Sequence, residues 1–250
     1  MSWLGLLLVG VSLTDLVFSV RPARIVPEAV GATALVLVGL ACGLTDTVDV
    51  VALLAMAIVV MGWGHTVTRG FGRGPGWLPL ALLAVAVAGV LALSPYAGEA
   101  GGLLGRYLDR TPLPVLAQLT PDRALLLAGV LLLQLSTGNV LVRLALAATG
   151  TVNPARRHRR DEQAPPGPPL KGGRLLGPMG RVFIVGLGLA GQVTAASIVV
   201  AAKGLLRFPE LQAAREADRG GPGIHEVTEY FLVGSFLSWL LALGSLVLLV

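Results

Sequence analysis

The chain is poor in charge, in cysteine and in clustered histidine. Charged residues make up 13% of its 250 residues, whereas a soluble domain carries about 25%. Cys42 is the only cysteine, which excludes an internal disulfide. The three histidines, His65, His158 and His225, are scattered through the sequence, so their spacing excludes a structural zinc site. Nothing in this composition indicates a cofactor.

Recognisable catalytic motifs are also missing. The sequence contains no HExxH, no GxSxG, no P-loop and no paired-carboxylate motif. Positive charge is absent ahead of the first apolar run as well, since Arg21 and Arg24 follow that run. A secretory signal would place basic residues first. We therefore expect an uncleaved first membrane span whose N-terminus lies outside the cell.

Apolar residues dominate what remains. They form 54% of the chain, and the mean hydropathy is +0.79. A membrane-spanning helix needs about 20 apolar residues, and lipid forces such runs to satisfy their backbone amides within one helix. The sequence thus predicts an all-α fold, a polytopic integral membrane helical bundle of six or seven transmembrane helices. The apolar windows are residues 2–20, 29–44, 47–64, 77–94, 123–149, 180–202 and 228–250.

The windows also predict how the chain is organised. Residues 1–149 form an N-terminal bundle of about five helices, 150–178 a basic, proline-rich loop, and 179–250 a C-terminal segment of two helices. Basic residues concentrate in alternate loops. Because cytoplasmic loops carry an excess of Lys and Arg, a seven-span arrangement with the N-terminus outside places these loops in the cytoplasm. With six spans the C-terminus changes side. The arginine-rich, alanine- and glycine-rich composition favours the cytoplasmic membrane of a bacterium.

Two loops are distinctive. In 100–123, Leu103, Leu104, Tyr107 and Leu108 share one helical face while Arg106, Asp109 and Arg110 share another, which predicts either a helix lying in the membrane interface or an ordinary connector. In 156–174, a basic cluster precedes a proline-rich spacer. This segment is either a solvated loop that sets topology or a dock for anionic lipid headgroups. Aromatic residues do not interleave with its charges, so we expect no nucleic-acid partner.

The sixth window contains a glycine pattern with two readings. Gly186, Gly188 and Gly191 match the GxGxxG of dinucleotide-binding folds. The crossover helix of such a fold needs a polar outer face, yet no charged residue lies between Arg181 and Lys203. Helix packing explains the small residues better, because they recur at steps of three and four. The predicted packing face is Gly186, Ala190, Thr194, Ser197 and Ala201.

Polar residues within two windows form a candidate intramembrane cluster. Asp15 shares a helical face with Ser12 and Ser19 in the first window. Asn139 and Arg143 share a face with Ser136 in the fifth. A charge at a helix centre costs about 2.5–3.5 kcal/mol on insertion scales, so such groups turn inward and pair. We expect either an Asp15–Arg143 contact supported by Asn139, or side chains near the ends of their helices that reach water.

The C-terminal third carries a sequence resemblance. "GRLLGPMGRVFIVGLGLAGQVTAASIVVAAKGLLRFPEL" and "EYFLVGSFLSW" resemble the C-terminal signature of a bacterial and phage membrane-protein family of unknown function. The resemblance covers the last 80 residues or so, with Gly180 and Gly204 departing from the family pattern, and it implies no biochemical activity. The matching positions are Arg174, Gly177, Arg181, Gln192, Ala202, Lys203, Arg207, Phe208, Glu229, Tyr230 and Gly234.

This resemblance draws attention to an interfacial charge cluster. Lys203 and Arg207 lie one helical turn apart at the end of the sixth window, and Glu229 opens the last one on the same side of the membrane. An acidic residue is favoured at a helix N-terminus. The cluster of Lys203, Arg207 and Glu229 is predicted either to clamp the last two helices or to bind an anionic headgroup.

Together these patterns favour a non-catalytic membrane subunit or scaffold. A transporter or channel for a small solute is the alternative, with Asp15, Asn139 and Arg143 along its path. An intramembrane enzyme acting on lipid comes third. The partners expected are membrane lipids, including anionic headgroups, and either another membrane protein or a second copy of the chain.

Overall fold

A computed structural model of the protein describes residues 1–23, 25–72, 74–151, 173–206 and 224–249. Every regular element in these ranges is helical, so the predicted all-α fold is confirmed. A single 3-10 turn, Ser94–Tyr96, follows the fourth helix. The helices are α1 Ser2–Val20, α2 Val26–Ala41, α3 Thr47–Gly70, α4 Trp77–Leu93, α5 Gly102–Arg110, α6 Pro114–Ala117, α7 Pro121–Leu135, α8 Thr137–Ala148, α9 Gly173–Leu189, α10 Val193–Leu206 and α11 Ile224–Leu249.

Several of these helices are long and apolar enough to cross a membrane. Within the described ranges there are four, Ser2–Val20, Thr47–Gly70, Trp77–Tyr96 and Glu229–Leu249. A fifth is obtained if α7 and α8, which are bent by 53° at their junction, form one span. Helix α2 has 16 residues and is shorter than a typical span. The count of six or seven spans stays a prediction.

The chain divides into two compact units, Met1–Val140 and Leu141–Leu248. The first unit is built around α1, which packs against α2, α3, α4 and α7. Two thirds of the α1 window (67%) is buried, against 33% for α3 and 11% for Trp77–Tyr96. Helix α1 is therefore the core of this unit, and α4 lies at its edge with an apolar surface facing outward.

Glycines allow α1 to approach its neighbours closely. A Cβ atom built on Gly129 of α7 would lie 2.6 Å from the carbonyl oxygen of Gly5 in α1. A Cβ built on Gly31 of α2 would lie 2.5 Å from the carbonyl oxygen of Gly10 in α1. Both distances are too short for a real side chain. Close small-residue packing, which the sequence led us to expect at 186–201, thus occurs at α1.

The connection between α4 and α5 is fixed to one end of the first unit. The backbone amide of Gly101 donates to the carbonyl of Cys42 at 2.7 Å, and that of Ala100 donates to the Asp122 carboxylate at 3.0 Å. These bonds hold the connection against the ends of α2 and α7.

Helix α5 confirms the short helix expected within 100–123. Its predicted apolar face is divided, because Leu108 is buried against the unit whereas Leu103 and Tyr107 are each 59% exposed. Arg106, Asp109 and Arg110 are exposed as predicted. The placement of this helix in a membrane interface stays a prediction.

In the second unit the helix expected over 180–202 is divided in two. Helix α9 ends at Leu189 and α10 begins at Val193, so the prediction of one continuous helix is wrong. Between them Gly191 has a φ of +71°, in the left-handed region that glycine adopts without strain. Arg181 of α9 is buried, and its guanidinium donates to the Ser238 hydroxyl of α11 at 3.3 Å.

Candidate functional site

The carboxylate of Asp15 lies at the centre of a buried polar site. Asp15 is 8% exposed near the end of α1. The indole Nε1–H of Trp63, from α3, donates to its two oxygens at 3.2 and 3.3 Å. The hydroxyl of Thr137, the first residue of α8, donates to Oδ2 at 2.7 Å. One carboxylate therefore connects α1, α3 and α8.

The break between α7 and α8 adjoins this carboxylate. The Ser136 hydroxyl donates to the backbone carbonyl of Ser12 at 2.8 Å and to that of Leu132 at 3.1 Å. The Thr137 hydroxyl also lies 3.5 Å from the Ser12 hydroxyl. Ser12 and Thr137 are fully buried. The polar residues at the junction of α7 and α8, where the chain changes direction, thus supply hydrogen bonds to α1.

A second buried carboxylate, that of Asp49, lies near the start of α3. Its Oδ1 accepts the indole Nε1–H of Trp3 at 2.8 Å and the backbone N–H of Gly98 at 3.0 Å. The Ser2 hydroxyl donates to the carbonyl of Gly98 at 2.9 Å. Asp49 is 3% exposed, so the start of α1, the start of α3 and the α4–α5 connection meet at one anionic group.

The two sites form a reciprocal pair between α1 and α3. Near the helix starts, the tryptophan comes from α1 and the aspartate from α3, as Trp3 and Asp49. Near the ends, the roles are exchanged, with Asp15 on α1 and Trp63 on α3. The two helices therefore run in the same direction and are linked twice. A hydrogen bond to a charged group is worth about 1.5–3 kcal/mol, although values in membranes average lower, about 0.6 kcal/mol.

The predicted intramembrane cluster is only partly assembled around Asp15. The polar stretch of the fifth window does meet Asp15, through Ser136 and Thr137. Asn139 is half-buried in α8, whereas Arg143 is exposed and belongs to the second unit. The hydrogen bonds of the Asp15 carboxylate come from Trp63 and Thr137. The Asp15–Arg143 contact stays a prediction.

The predicted packing face does not lie along one helix. Its five residues are divided between α9, the break and α10, and all are exposed within the chain. A Cβ built on Gly186 or Gly191 would meet no atom within 4 Å. Gly188, between them, instead packs closely against Leu246 of α11. A packing role for Gly186, Ala190, Thr194, Ser197 and Ala201 therefore stays a prediction and would need a helix from elsewhere.

Of the three residues in the predicted interfacial charge cluster, only Glu229 has a side chain within the described residues. Glu229 is exposed in α11. Arg207 and the side chain of Lys203 lie outside the described residues. The predicted contact of these two cations with Glu229 stays a prediction.

Sequence reasoning missed Trp3, Asp49, Trp63, Thr137 and the buried Glu28. A usable signal was present, because each of the first and third windows contains one tryptophan and one aspartate. They are 12 residues apart in the first window and 14 in the third, in opposite order. A buried indole N–H needs an acceptor, and a buried carboxylate needs donors. These two requirements together would have suggested the pairing.

Comparison of the whole chain with protein-family models, with curated proteins and with solved structures found no match.

Proposed function

We propose that the chain is an integral membrane protein that acts as a non-catalytic subunit or scaffold. The observation that carries this proposal is the reciprocal Trp–Asp linkage of α1 and α3. Carboxylates placed to handle a substrate need oxygens that a substrate can reach. The carboxylates of Asp15 and Asp49 are instead buried, and they accept hydrogen bonds from side chains and backbone of neighbouring helices. Their effect is to hold helices together.

The outer surface of the chain supports a role in assembly. The window Trp77–Tyr96 is only 11% buried within the chain, and Glu229–Leu249 only 22%. Apolar helices exposed to this degree would face lipid, another protein or a second copy of the chain. Exposed small residues lie along this part of the chain: Gly186 in α9, Ala190 in the break and Ala201 in α10. They would allow a partner helix to approach closely.

The membrane placement is part of the same proposal. The cytoplasmic membrane of a bacterium, an N-terminus outside the cell and six or seven spans are inferred from the sequence, as are contacts with anionic headgroups. The family resemblance of the last 80 residues fits a bacterial membrane protein, and it adds no activity.

Native mass spectrometry of the protein, released gently from its own membrane, tests this proposal. A subunit or scaffold would be recovered with another protein, or with further copies of itself, at fixed stoichiometry. A monomer that carries a defined small molecule instead of a protein partner would contradict it.

A transporter or channel for a small solute is the second candidate, and one observation favours it. The helix break at Ser136 adjoins the Asp15 carboxylate, and many transporters bind substrates and coupling ions at broken helices near the middle of the membrane. In that case the groups around Asp15 would become accessible to water during the cycle. The accessibility of Ser12 therefore separates the two candidates.

A further inference from the structure

The short helix α5 has apolar residues on two sides, and only one side is covered by the chain. Leu108 is buried against the first unit, and Leu104 is partly buried. On the adjoining flank Leu103 and Tyr107, which are one helical turn apart, are each 59% exposed. Within the described part of the chain, the flank formed by Leu103 and Tyr107 is therefore an uncovered apolar surface.

Helix α5 is fixed at the level where apolar helices of the first unit end. A Cβ built on Gly102, its first residue, would collide with the carbonyl oxygen of Ala41, the last residue of α2. A Cβ built on Gly105 would lie 3.7 Å from Cγ of Pro121, the first residue of α7. Because α5 lies against the end of one apolar helix and the start of another, it occupies the depth at which membrane spans reach the headgroup layer.

The exposed residues on and near α5 are typical of that layer. Tyr96, which is 71% exposed, ends the candidate span Trp77–Tyr96 just before α5, and Tyr107 lies on α5 itself. Tyrosine is enriched at membrane interfaces, because its ring is apolar and its hydroxyl is polar. Arg106 and Arg110 are exposed beside these residues. Apolar side chains bordered by arginines on one short helix are the pattern of a helix that lies in the interface.

Both arginines have guanidinium donors available for an external anion. Among the described residues, Arg110 forms no hydrogen bond or ion pair, and Arg106 donates only from Nε, to the carbonyl of Gly102 at 3.3 Å. The two side chains lie one helical turn apart. A guanidinium group binds phosphate through parallel N–H···O bonds, and phosphate is the anion of phospholipid headgroups.

We propose that α5 lies in the headgroup layer, with Leu103 and Tyr107 against the start of the acyl chains and with Arg106 and Arg110 bound to the phosphates of anionic phospholipid. This inference rests on the membrane placement in the proposed function and adds a lipid site to it. A stable protein interface buries about 800 Å² on each partner, far more than two partly exposed side chains offer. A lipid leaflet therefore fits this flank better than a protein does.

Quenching of a fluorophore by nitroxide-labelled lipids measures the depth of α5. The protein carries Cys42→Ala and one new cysteine labelled with NBD, in Leu103→Cys, Asp109→Cys or Val85→Cys, all at exposed positions. Each protein is placed in nanodiscs of phosphatidylcholine and phosphatidylglycerol. The nitroxide is attached either near the headgroup or near the end of the acyl chain.

The two other positions serve as references for Leu103→Cys. Asp109→Cys is on the same helix but away from the apolar flank, and Val85→Cys is at the middle of α4. We expect the nitroxide near the headgroup to quench Leu103→Cys more than the deep nitroxide does, and more than it quenches Asp109→Cys. The deep nitroxide should quench Val85→Cys most.

Three results would overturn the proposal. Quenching of Val85→Cys without quenching of Leu103→Cys removes the lipid site and leaves the membrane placement intact. Absence of quenching at both positions contradicts the membrane placement as well. A label at Leu103→Cys that water reaches in nanodiscs, but that is shielded in protein taken from its own membrane, assigns the flank to a protein partner instead of lipid.

A titration tests the phosphate contact separately. Phosphatidylglycerol is added to the protein labelled at Leu103→Cys in neutral detergent micelles, and the NBD emission is followed. Each arginine beside an anionic surface contributes about fivefold to binding, so Arg106→Gln with Arg110→Gln should raise the lipid concentration at half-saturation roughly twenty-five-fold. Arg69→Gln, at an exposed position of α3, should leave it unchanged. Equal titrations with and without the two arginines of α5 would overturn their assignment to phosphate.

Discussion

The indole Nε1–H of Trp63 lies 3.2 Å from one carboxylate oxygen of Asp15 and 3.3 Å from the other. Trp63 is fully buried, and Asp15 is nearly so. Because the N–H is shared between both oxygens, the ring fixes the orientation of the carboxylate as well as its position. Thr137 then adds a shorter bond to Oδ2, at 2.7 Å. This arrangement links α1, α3 and α8 through one anionic group.

Trp63→Phe tests the value of this link. The substitution keeps most of the ring volume and removes the N–H, so the Asp15 carboxylate loses a donor in a buried site. We expect the free energy of unfolding to fall by about 1–3 kcal/mol. Equilibrium unfolding in mixed micelles measures it, with Trp77→Phe as the control, since Trp77 is 59% exposed. A loss for Trp63→Phe no larger than that for Trp77→Phe would contradict a stabilising hydrogen bond between Trp63 and Asp15.

Asp49→Asn should loosen the connection between α4 and α5. The amide has lower negative charge and accepts more weakly from Trp3 and from the backbone N–H of Gly98. We expect limited proteolysis to cut residues 97–101 faster in this variant, while Asp46→Asn, at an exposed position, leaves the rate unchanged. An unaltered rate in Asp49→Asn would mean that other contacts hold the connection.

Gly129→Ala should strongly destabilise the first unit. The added Cβ would lie 2.6 Å from the carbonyl oxygen of Gly5, so α1 and α7 would have to separate. Overpacking of this kind costs about 1–3 kcal/mol. Gly89→Ala is the matched control, because a Cβ at this helical position meets no atom within 4 Å. Unfolding in mixed micelles should place Gly89→Ala at or slightly above wild type. Similar losses in both variants would argue against close contact at Gly5.

Gly191→Ala tests the break between α9 and α10. At a φ of +71°, alanine is strained, and we expect a loss of about 1 kcal/mol. Gly186→Ala, on the exposed side of α9, adds a side chain in open space and should cost nothing. The same unfolding assay compares them. A neutral Gly191→Ala would indicate that the chain is helical through this position, as the sequence first suggested.

The sequence was sufficient to predict the helices but not their bends. Long apolar windows require helices, which is why the windows 2–20 and 77–94 coincide with α1 and α4 almost residue for residue. The window 123–149 contains a 53° bend at Ser136. Hydropathy averaged over the window does not register it, although the polar residues Gln134, Thr137 and Asn139 lie around this position. The break at Gly191 had a signal in the glycine itself, which we considered only as the last glycine of the GxGxxG pattern.

The contacts of the buried polar groups were harder to predict. The periodicity placed Ser12 and Asp15 on one face, and the structure buries both, while Ser19 of the same face is exposed at the helix end. A helical face does not identify its neighbour. Charge complementarity suggested Arg143, whereas the hydrogen bonds come from Trp63 and Thr137, two residues that carry no formal charge. Their positions depend on how the helices pack, and the local pattern of a single sequence does not show which residues of different helices meet.

The accessibility of position 12 tests the central claim most directly, namely that the buried polar groups around Asp15 link helices and do not line a path. The protein would carry Cys42→Ala, to remove its own thiol, and Ser12→Cys, at a fully buried position beside Asp15. Glu99→Cys, which is exposed, reports full access of a charged thiol reagent. We predict that Ser12→Cys stays unmodified in the folded protein while Glu99→Cys reacts. Reaction at Ser12→Cys at a comparable rate, in protein that remains folded, would contradict the claim and favour transport.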